Sequence, residues 1–114
     1  MAAKKTTNPK IFSEAALSLI SVRFRALSEP VRLRLLNCLM LEDHNVTQLV
    51  KLSGTGQANV SKHLAILRDA GMIHMRRDGL STICSIADPF IHQLYEIMSE
   101  HLKSEHAELG KALK

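Results

Sequence analysis

Aromatic residues are scarce in this 114-residue sequence, which has no Trp, one Tyr and three Phe. It also has no apolar run near the roughly 20 residues that a membrane-spanning helix needs, so we predict no membrane partner. Its first residues include lysines, but the apolar segment of a signal peptide does not follow them. Nothing in the sequence therefore predicts export, and we expect a cytoplasmic protein.

Cysteine is scarce as well. Cys38 and Cys84 are the two cysteines, and this pair fits neither a disulfide framework nor a zinc knuckle. Both have aliphatic neighbours, and a buried free cysteine behaves as a small hydrophobe. The functional alternative is a thiol switch, which requires an exposed sulfur of low pKa.

The charge is unevenly distributed, although the net charge of +4 is modest. Residues 51–77 contain five cations and one acid, whereas residues 88–108 contain five acids and one cation. A basic middle and an acidic end indicate that one surface meets a polyanion and another does not. The alternative interpretation is that these charges simply cover solvated faces.

Residues 57–79 are the most informative segment. Val60, Leu64 and Leu67 recur at i, i+4 and i+7, which predicts one buried face of a helix. Gly71 suits the left-handed position just past a helix end. A strand over 72–76 and a turn at Arg76-Arg77-Asp78-Gly79 follow. The segment therefore predicts a DNA recognition helix and a hairpin wing.

The polar face of this helix and the wing form the predicted DNA-contacting set. Short polar and cationic side chains can bond base edges and phosphates at close approach. We place Gln57, Ala58, Ser61 and Lys62 in the major groove, and the wing arginines on flanking phosphates or in the minor groove. For His63, at the groove margin, the pattern favours a packing or hinge role, and a phosphate or base contact is the alternative. The full set is Thr55, Gln57, Ala58, Asn59, Ser61, Lys62, His63, Arg68, Arg76 and Arg77.

Capping residues predict where the other helices begin. Ser28 is a good N-cap for a second helix that ends near Leu41. Asn45 and Gln48 resemble a capping box that opens a short third helix. We expect Thr55 to cap the recognition helix. Asp88 should cap the last helix, with proline in its first position.

The predicted fold is mainly α with a β-hairpin wing, a winged helix-turn-helix. A first helix runs from about residue 10 to residue 27, and the second hairpin strand covers 81–86. We expect a disordered tail over 1–9, one DNA-binding and dimerisation domain over 10–108, and a second tail over 109–114. Two short helices joined by a glycine-containing turn form the helix-turn-helix.

The first and last helices carry wide apolar faces that the helix-turn-helix does not use. A subunit interface is their most economical use, and symmetric dimers are the common solution. We therefore expect a homodimer that pairs through Phe12, Leu19, Leu94, Met98 and Leu102.

Two motifs, residues 26–36 (ALSEPVRLRLL) and 57–71 (QANVSKHLAILRDAG), resemble the ArsR/SmtB family of small bacterial repressors. The resemblance covers roughly residues 12–104. It implies a winged-helix homodimer, paired through its first and last helices, that occupies a palindromic operator in double-stranded DNA. It also implies an inducer, here unknown, that weakens this grip.

The sensor positions that the resemblance implies match less well. Asn45-Val46-Thr47 stands where metal-sensing members carry a Cys-Val-Cys element. Asp88 and His101 match two zinc ligands of the last helix, but Phe90 and Ser104 occupy the other two positions. A stable zinc site needs four donors, so we predict no metal site and no cofactor. Thiol-responsive members pair a second-helix cysteine with one in the last helix, which leaves Cys38 as the candidate sensor thiol.

Other functions remain open alternatives. Asp88, His92 and Glu96 share one stripe of the last helix, so Asp88, His92 and His101 are weak metal candidates beside the interpretation as a solvated face. Ser61 with His63 could suggest a nucleophile and base, but no nucleophile elbow or phosphate-binding loop accompanies them, so we predict no enzyme. A thiol-, sulfide- or metal-responsive regulator is one alternative, and a winged helix that binds only protein is another.

Overall fold

The computed structural model describes residues 11–106. Both predicted tails and the predicted domain limits at 10 and 107–108 lie outside these residues. The predicted start of the first helix near residue 10 is wrong, because Ser13 is the N-cap and the helix begins at Glu14. Within residues 11–106, five helices and three strands follow one another in the order α1, α2, β1, α3, α4, β2, β3, α5. Their bounds are α1 Glu14–Ala26, α2 Pro30–Leu41, β1 His44–Asn45, α3 Val46–Ser53, α4 Gln57–Asp69, β2 Ile73–Asp78, β3 Ser81–Ile86 and α5 Phe90–Glu105. The predicted mainly helical fold with a hairpin wing is confirmed.

The strands form one antiparallel sheet in the order β1-β3-β2. The hairpin β2–β3 pairs Ile73 with Ile86 and Asp78 with Ser81, so its loop has two residues. The predicted turn at residues 76–79 is wrong by two residues, because both arginines belong to β2 and the loop consists of residues 79 and 80. The strand β1 was not predicted, and its two residues pair with Ile83 and Cys84.

The core lies where α2, α3, α4 and the sheet meet. Its fully buried side chains include the predicted stripe of α4, Val60, Leu64 and Leu67. The other large buried side chains are Leu35, Leu36, Leu49, Met72, Cys84 and Ile91. The helix-turn-helix is thus built on a single apolar core that holds α4 by one face.

Three predicted N-caps differ from the structure. Glu29, not Ser28, caps α2 by accepting a hydrogen bond from the Val31 backbone N–H, while the Ser28 hydroxyl donates to the Arg25 carbonyl oxygen. Gly56, not Thr55, occupies the N-cap of α4. Pro89 is the N-cap of α5, although the Asp88 carboxylate still accepts from the Phe90 N–H at 3.0 Å.

The capping box of α3 is confirmed. The Asn45 side chain accepts from the Gln48 backbone N–H, and the Gln48 side chain accepts from the Asn45 N–H, both at 2.8 Å. These bonds satisfy two N–H groups that a helix start would otherwise leave unpaired. The start of the helix-turn-helix is thereby defined by local contacts.

The two outer helices bury little of themselves. Ala26 is the only buried residue of the thirteen in α1, and Ile91 is the only one of the sixteen in α5. The Tyr95 hydroxyl donates to the Leu33 carbonyl oxygen at 2.8 Å and so ties α5 to α2. No helix within residues 11–106 is long and apolar enough to cross a bilayer.

Candidate nucleic-acid interface

The helix α4 has a polar face opposite the apolar one. Gln57, Ala58, Ser61 and Lys62 are all exposed, as the sequence predicted for the groove-facing residues. They lie within the first two turns of the helix, so they form a compact surface with few bulky groups. Arg68 is also exposed, near the helix end, where its guanidinium contacts the Asp69 carboxylate at 3.2 Å.

The turn that leads into α4 is braced by hydrogen bonds. Gly54 has a φ of 75°, a conformation that a residue with a Cβ rarely adopts. The Ser53 hydroxyl accepts from the Thr55 N–H at 3.3 Å, and the Arg34 guanidinium donates to the Ser53 carbonyl oxygen at the same distance. These bonds hold the entry to α4 in one geometry.

Thr55 and Asn59 contact each other. The Asn59 amide donates to the Thr55 hydroxyl at 3.0 Å, and both side chains are half-buried. Thr55 is therefore not the N-cap of α4, and its hydroxyl instead accepts a hydrogen bond from Asn59 in the first turn of the helix. Asn59 is oriented toward the turn, which places it at the edge of the exposed face.

The wing arginines point to opposite faces of the hairpin, because neighbouring residues of a strand alternate. Arg77 lies opposite Thr82 and donates to its hydroxyl at 3.3 Å and to the Gly79 carbonyl oxygen at 3.4 Å. Its guanidinium therefore lies along the hairpin. Arg76, on the other face, is exposed. Because they lie on opposite faces, we expect the two arginines to contact different parts of the DNA backbone.

His63 lies on the buried side of α4. Its side chain is 6% exposed, and both ring nitrogens have partners. Nδ1 lies 3.0 Å from the Arg32 guanidinium and Nε2 lies 3.2 Å from the Glu29 carboxylate. Burial lowers the pKa of His63, with a smaller contribution from nearby Arg32 and against the opposite effect of Glu29. These contacts agree with the packing role predicted for His63, and they turn its side chain away from the exposed face that carries Gln57, Ser61 and Lys62.

No local sequence pattern predicts the side chains that hold His63 and Arg77 in place. Glu29 and Arg32 lie in the first of the two family-like motifs, but their contact with His63 spans more than thirty residues of sequence. Thr82, the partner of Arg77, depends on strand register. The motif at residues 26–36 contains Glu29 and Arg32, and it was the one sequence signal that indicated a role for them.

Comparisons with known proteins agree with this geometry. The sequence profile of the bacterial regulatory protein family arsR matches residues 29–75. The HTH-type transcriptional regulator Rv0081 of Mycobacterium tuberculosis is 37% identical over 86 residues, which is 75% of this chain and 75% of that protein. The chain belongs to the arsR family. It is a DNA-binding transcriptional regulator, and the matched proteins are not enzymes.

Other relatives and solved structures agree. NmtR, an HTH-type transcriptional regulator of the same organism, is 36% identical over 98 residues, covering 86% of this chain and 79% of that protein. The crystal structure of Rv0081 superposes with a TM-score of 0.76 at 34% identity, over 84% of this chain and 97% of that one. A homodimeric winged helix-turn-helix domain from Mycobacterium bovis has a TM-score of 0.74 at 23% identity, over 89% and 97%.

The predicted interface residues of this arsR-family chain differ in exposure. Leu19 and Met98 are 71% and 59% exposed, and Phe12 is exposed as well. Leu94 and Leu102 are half-buried. Leu94 is not among the apolar side chains that pack on the core. All five therefore leave apolar surface that this subunit does not cover.

The two cysteines differ in accessibility. Cys84 is fully buried in β3, and burial raises the pKa of its thiol to about 11. Cys38 is half-buried on α2, beside the core. Both are free thiols. The contrast agrees with the prediction that Cys84 is a core residue and leaves Cys38 as the more accessible sulfur.

The weak metal candidates of α5 form exposed pairs with carboxylates. His92 lies 3.7 Å from Glu96, and His101 lies 3.4 Å from Glu105. The Asp88 carboxylate accepts a hydrogen bond from the Phe90 N–H at the start of α5. Within residues 11–106, no three His, Cys, Asp or Glu side chains converge into a group that could hold a metal ion.

Proposed function

We propose that the chain represses transcription as a homodimer that occupies a palindromic operator in double-stranded DNA, acting in the cytoplasm. The exposed polar face at the start of α4 is the observation that carries this proposal. Gln57 and Ser61 can exchange hydrogen bonds with base edges, and Lys62 can neutralise a phosphate. The buried stripe on the other side of α4 holds this face outward.

The helix start supports DNA binding further. Gly56 provides no side-chain hydrogen bond to the first turn of α4. Backbone N–H groups of that turn are therefore available to a phosphate, which the positive end of the helix dipole attracts. Arg76 at the wing can reach a flanking phosphate or the minor groove, and Arg77 can do so after leaving Thr82. Arg68, at the far end of α4, would reach only the flanking backbone.

The dimer is inferred from unburied apolar surface. The helices α1 and α5 leave large apolar side chains exposed, among them Leu19, Phe24, Ile97 and Met98, and a large exposed apolar patch is typical of interaction sites. We propose that they pair around a twofold axis through Phe12, Leu19, Leu94, Met98 and Leu102. The two α4 helices would then read half-sites about 10–10.5 bp, or a multiple, apart.

For the signal that releases the operator, we compare the candidate sensor sites and set aside those that lack the required ligands. Asn45 and Thr47 lack the thiolates of a metal sensor at the start of α3, and the α5 candidates do not converge. If the signal is chemical, we propose that it modifies Cys38, because the sulfur of Cys84 is buried. A small molecule that this chain recognises is the alternative inducer.

Selection of duplexes from a random pool tests the proposed function. We expect the wild-type protein to enrich an inverted repeat, and its affinity for that repeat to fall steeply with salt because bound phosphates release counterions. Lys62→Ala should weaken the binding of all duplexes, while the matched substitution Lys103→Ala on α5 should not. Absence of an enriched repeat, or binding that salt does not weaken, would contradict the proposal.

A further inference from the structure

A buried polar cluster connects α4 with the junction of α1 and α2. Its centre is Arg32, whose Nε donates to the Ala26 carbonyl oxygen at 2.7 Å and whose Nη2 donates to the Arg25 carbonyl oxygen at 3.2 Å. Its Nη1 lies 3.0 Å from Nδ1 of His63. The other ring nitrogen of His63 contacts Glu29, which also caps α2. The imidazole thus connects α4 with the start of α2 directly and with α1 through Arg32.

These partners define the protonation state of the ring. An arginine guanidinium carries only donors, so Nδ1 of His63 must accept and carries no proton. Nε2 then bears the proton and donates it to the Glu29 carboxylate. The ring is therefore the neutral Nε2–H tautomer, whose donor is matched to Glu29 at the N-cap of α2 and whose acceptor is matched to Arg32 of α2.

We propose that His63 is a positioning residue for DNA reading: its neutral ring fixes the rotation of α4 against the α1–α2 junction, and protonation of the ring releases that hold. This inference rests on the proposed function, because it concerns how α4 is aimed at DNA. His63 itself does not touch DNA. Its role passes through Ser61 and Lys62, its neighbours on the exposed side.

The geometry explains how a buried ring can aim an exposed face. Each residue of a helix turns about 100° from the one before it, so fixing one side chain fixes the direction of its neighbours. Val60, Leu64 and Leu67 pack without directional bonds and tolerate small rotations. The two hydrogen bonds of His63 are directional, so they select one rotation among those that the apolar contacts permit.

Protonation would place a second donor on Nδ1, opposite the Arg32 guanidinium. Arg32 is held by two carbonyl oxygens of α1 and cannot turn away without losing them. The charged groups facing the ring are Glu29, the N-cap of α2, Arg32 of α2 and Lys62 of α4 itself. Glu29 would retain the charged ring, but Arg32 and Lys62 repel it. Release from Arg32 therefore shifts α4 toward Glu29.

The test combines the ring's protonation state with duplex preference in the full-length protein. Nitrogen-15 NMR of labelled histidine reports the tautomer and the titration of His63 without DNA. The affinity ratio between the selected duplex and a scrambled duplex is measured from about pH 8 to about pH 5. The ratio cancels the general gain in charge of other histidines. The variants are His63→Gln, which cannot titrate, Glu29→Gln, and His106→Gln as a control.

We expect the Nε2–H tautomer at neutral pH and a ratio that falls about 5- to 10-fold as His63 titrates. The ratio of His63→Gln should stay constant with pH, and that of His106→Gln should follow the wild type. Glu29→Gln should move the fall to lower pH, because the Glu29 charge raises the pKa of His63. A purely structural role would not produce this shift, and the variant retains a cap oxygen for α2.

Two results would overturn the inference while leaving the proposed function intact: an Nδ1–H ring at neutral pH, or a ratio that stays constant while His63 titrates. A wild-type protein that prefers no duplex overturns both the inference and the proposed function, because α4 then reads no DNA sequence. The NMR result is obtained without DNA, so it shows which of the two has failed.

Discussion

At the residue scale, the exposed side chains of α4 have different expected effects on binding. Lys62 can contact only phosphate, which every sequence presents. Gln57 and Ser61 can read base edges, which differ between sequences.

We predict that Lys62→Ala lowers the affinity for all duplexes alike and reduces the slope of log affinity against log salt by about one. Gln57→Ala or Ser61→Ala should instead relax operator preference, each base contact being worth about 1–3 kcal/mol. Fluorescence anisotropy with selected and scrambled duplexes at several salt concentrations separates the two effects. Unchanged preference in both Gln57→Ala and Ser61→Ala would show that α4 does not read the groove.

The depressed pKa of His63 also predicts how stability depends on pH. In the unfolded chain His63 titrates near its ordinary pKa of 6.5, above its value in the fold. Between these values the unfolded state binds more protons, so the free energy of unfolding decreases as pH falls. The full stability is present above about pH 6.5. Urea denaturation should show this loss in wild type and a smaller one in His63→Gln. An equal loss in both would contradict the prediction.

The two thiols should differ in reactivity. Cys84 is fully buried with a raised pKa, whereas Cys38 is half-buried. Because the thiolate is the reactive form, iodoacetamide should modify Cys38 first in the native protein. Mass spectrometry of wild type, Cys38→Ser and Cys84→Ser identifies the modified site. Faster labelling of Cys84 would mean that the sheet opens more readily than the helix packing.

At the element scale, two glycines end helices in left-handed conformations. Gly54 ends α3 with φ 75° and open space around its Cα, and Gly71 follows α4 with φ 78°. A Cβ on Gly71 would approach the Arg23 guanidinium to 2.7 Å. That group ends a long, exposed side chain, so it can move aside.

We therefore predict that Gly54→Ala and Gly71→Ala each lower the free energy of unfolding by about 1–2 kcal/mol, the cost of the left-handed backbone. Denaturant unfolding measures both. A much larger loss in Gly71→Ala, removed by adding Arg23→Ala, would show that the guanidinium is held in place after all.

At the scale of the whole molecule, the exposed apolar faces of α1 and α5 are the basis of the proposed dimer. Each buries a single residue, and several large apolar side chains of the two helices are exposed in the isolated chain, among them Leu19, Phe24, Ile97 and Met98. A charge placed on such a face would be buried without a partner in the dimer.

We predict that Leu19→Glu, Met98→Glu and Leu94→Glu each convert a dimer at micromolar concentration into a monomer. Leu80→Glu is the matched control, because Leu80 is 98% exposed at the wing tip, away from both helices. It should remain dimeric. Sedimentation velocity gives the oligomeric state, and circular dichroism verifies the fold. A monomeric wild type would contradict the interface and, with it, the palindrome.

Local patterns were enough to predict much of this molecule. The order of helices and hairpin, the buried stripe of α4, the capping box at Asn45 and the left-handed Gly71 all depend on neighbours within a few residues. The two motifs also identified the family. Caps failed where two neighbouring residues competed, as Ser28 did with Glu29.

Contacts between distant segments were decided only by the tertiary structure. His63 lies beside exposed Ser61 and Lys62 in sequence, yet packing turns it toward Glu29 and Arg32, which no periodicity relates to it. Strand register likewise decided that Thr82 lies opposite Arg77 and that β1 joins the sheet. A sequence determines where a helix forms and which side is apolar. Which residues of other elements contact that side depends on the tertiary packing. The directional hydrogen bonds to these residues form only after the separate elements have packed.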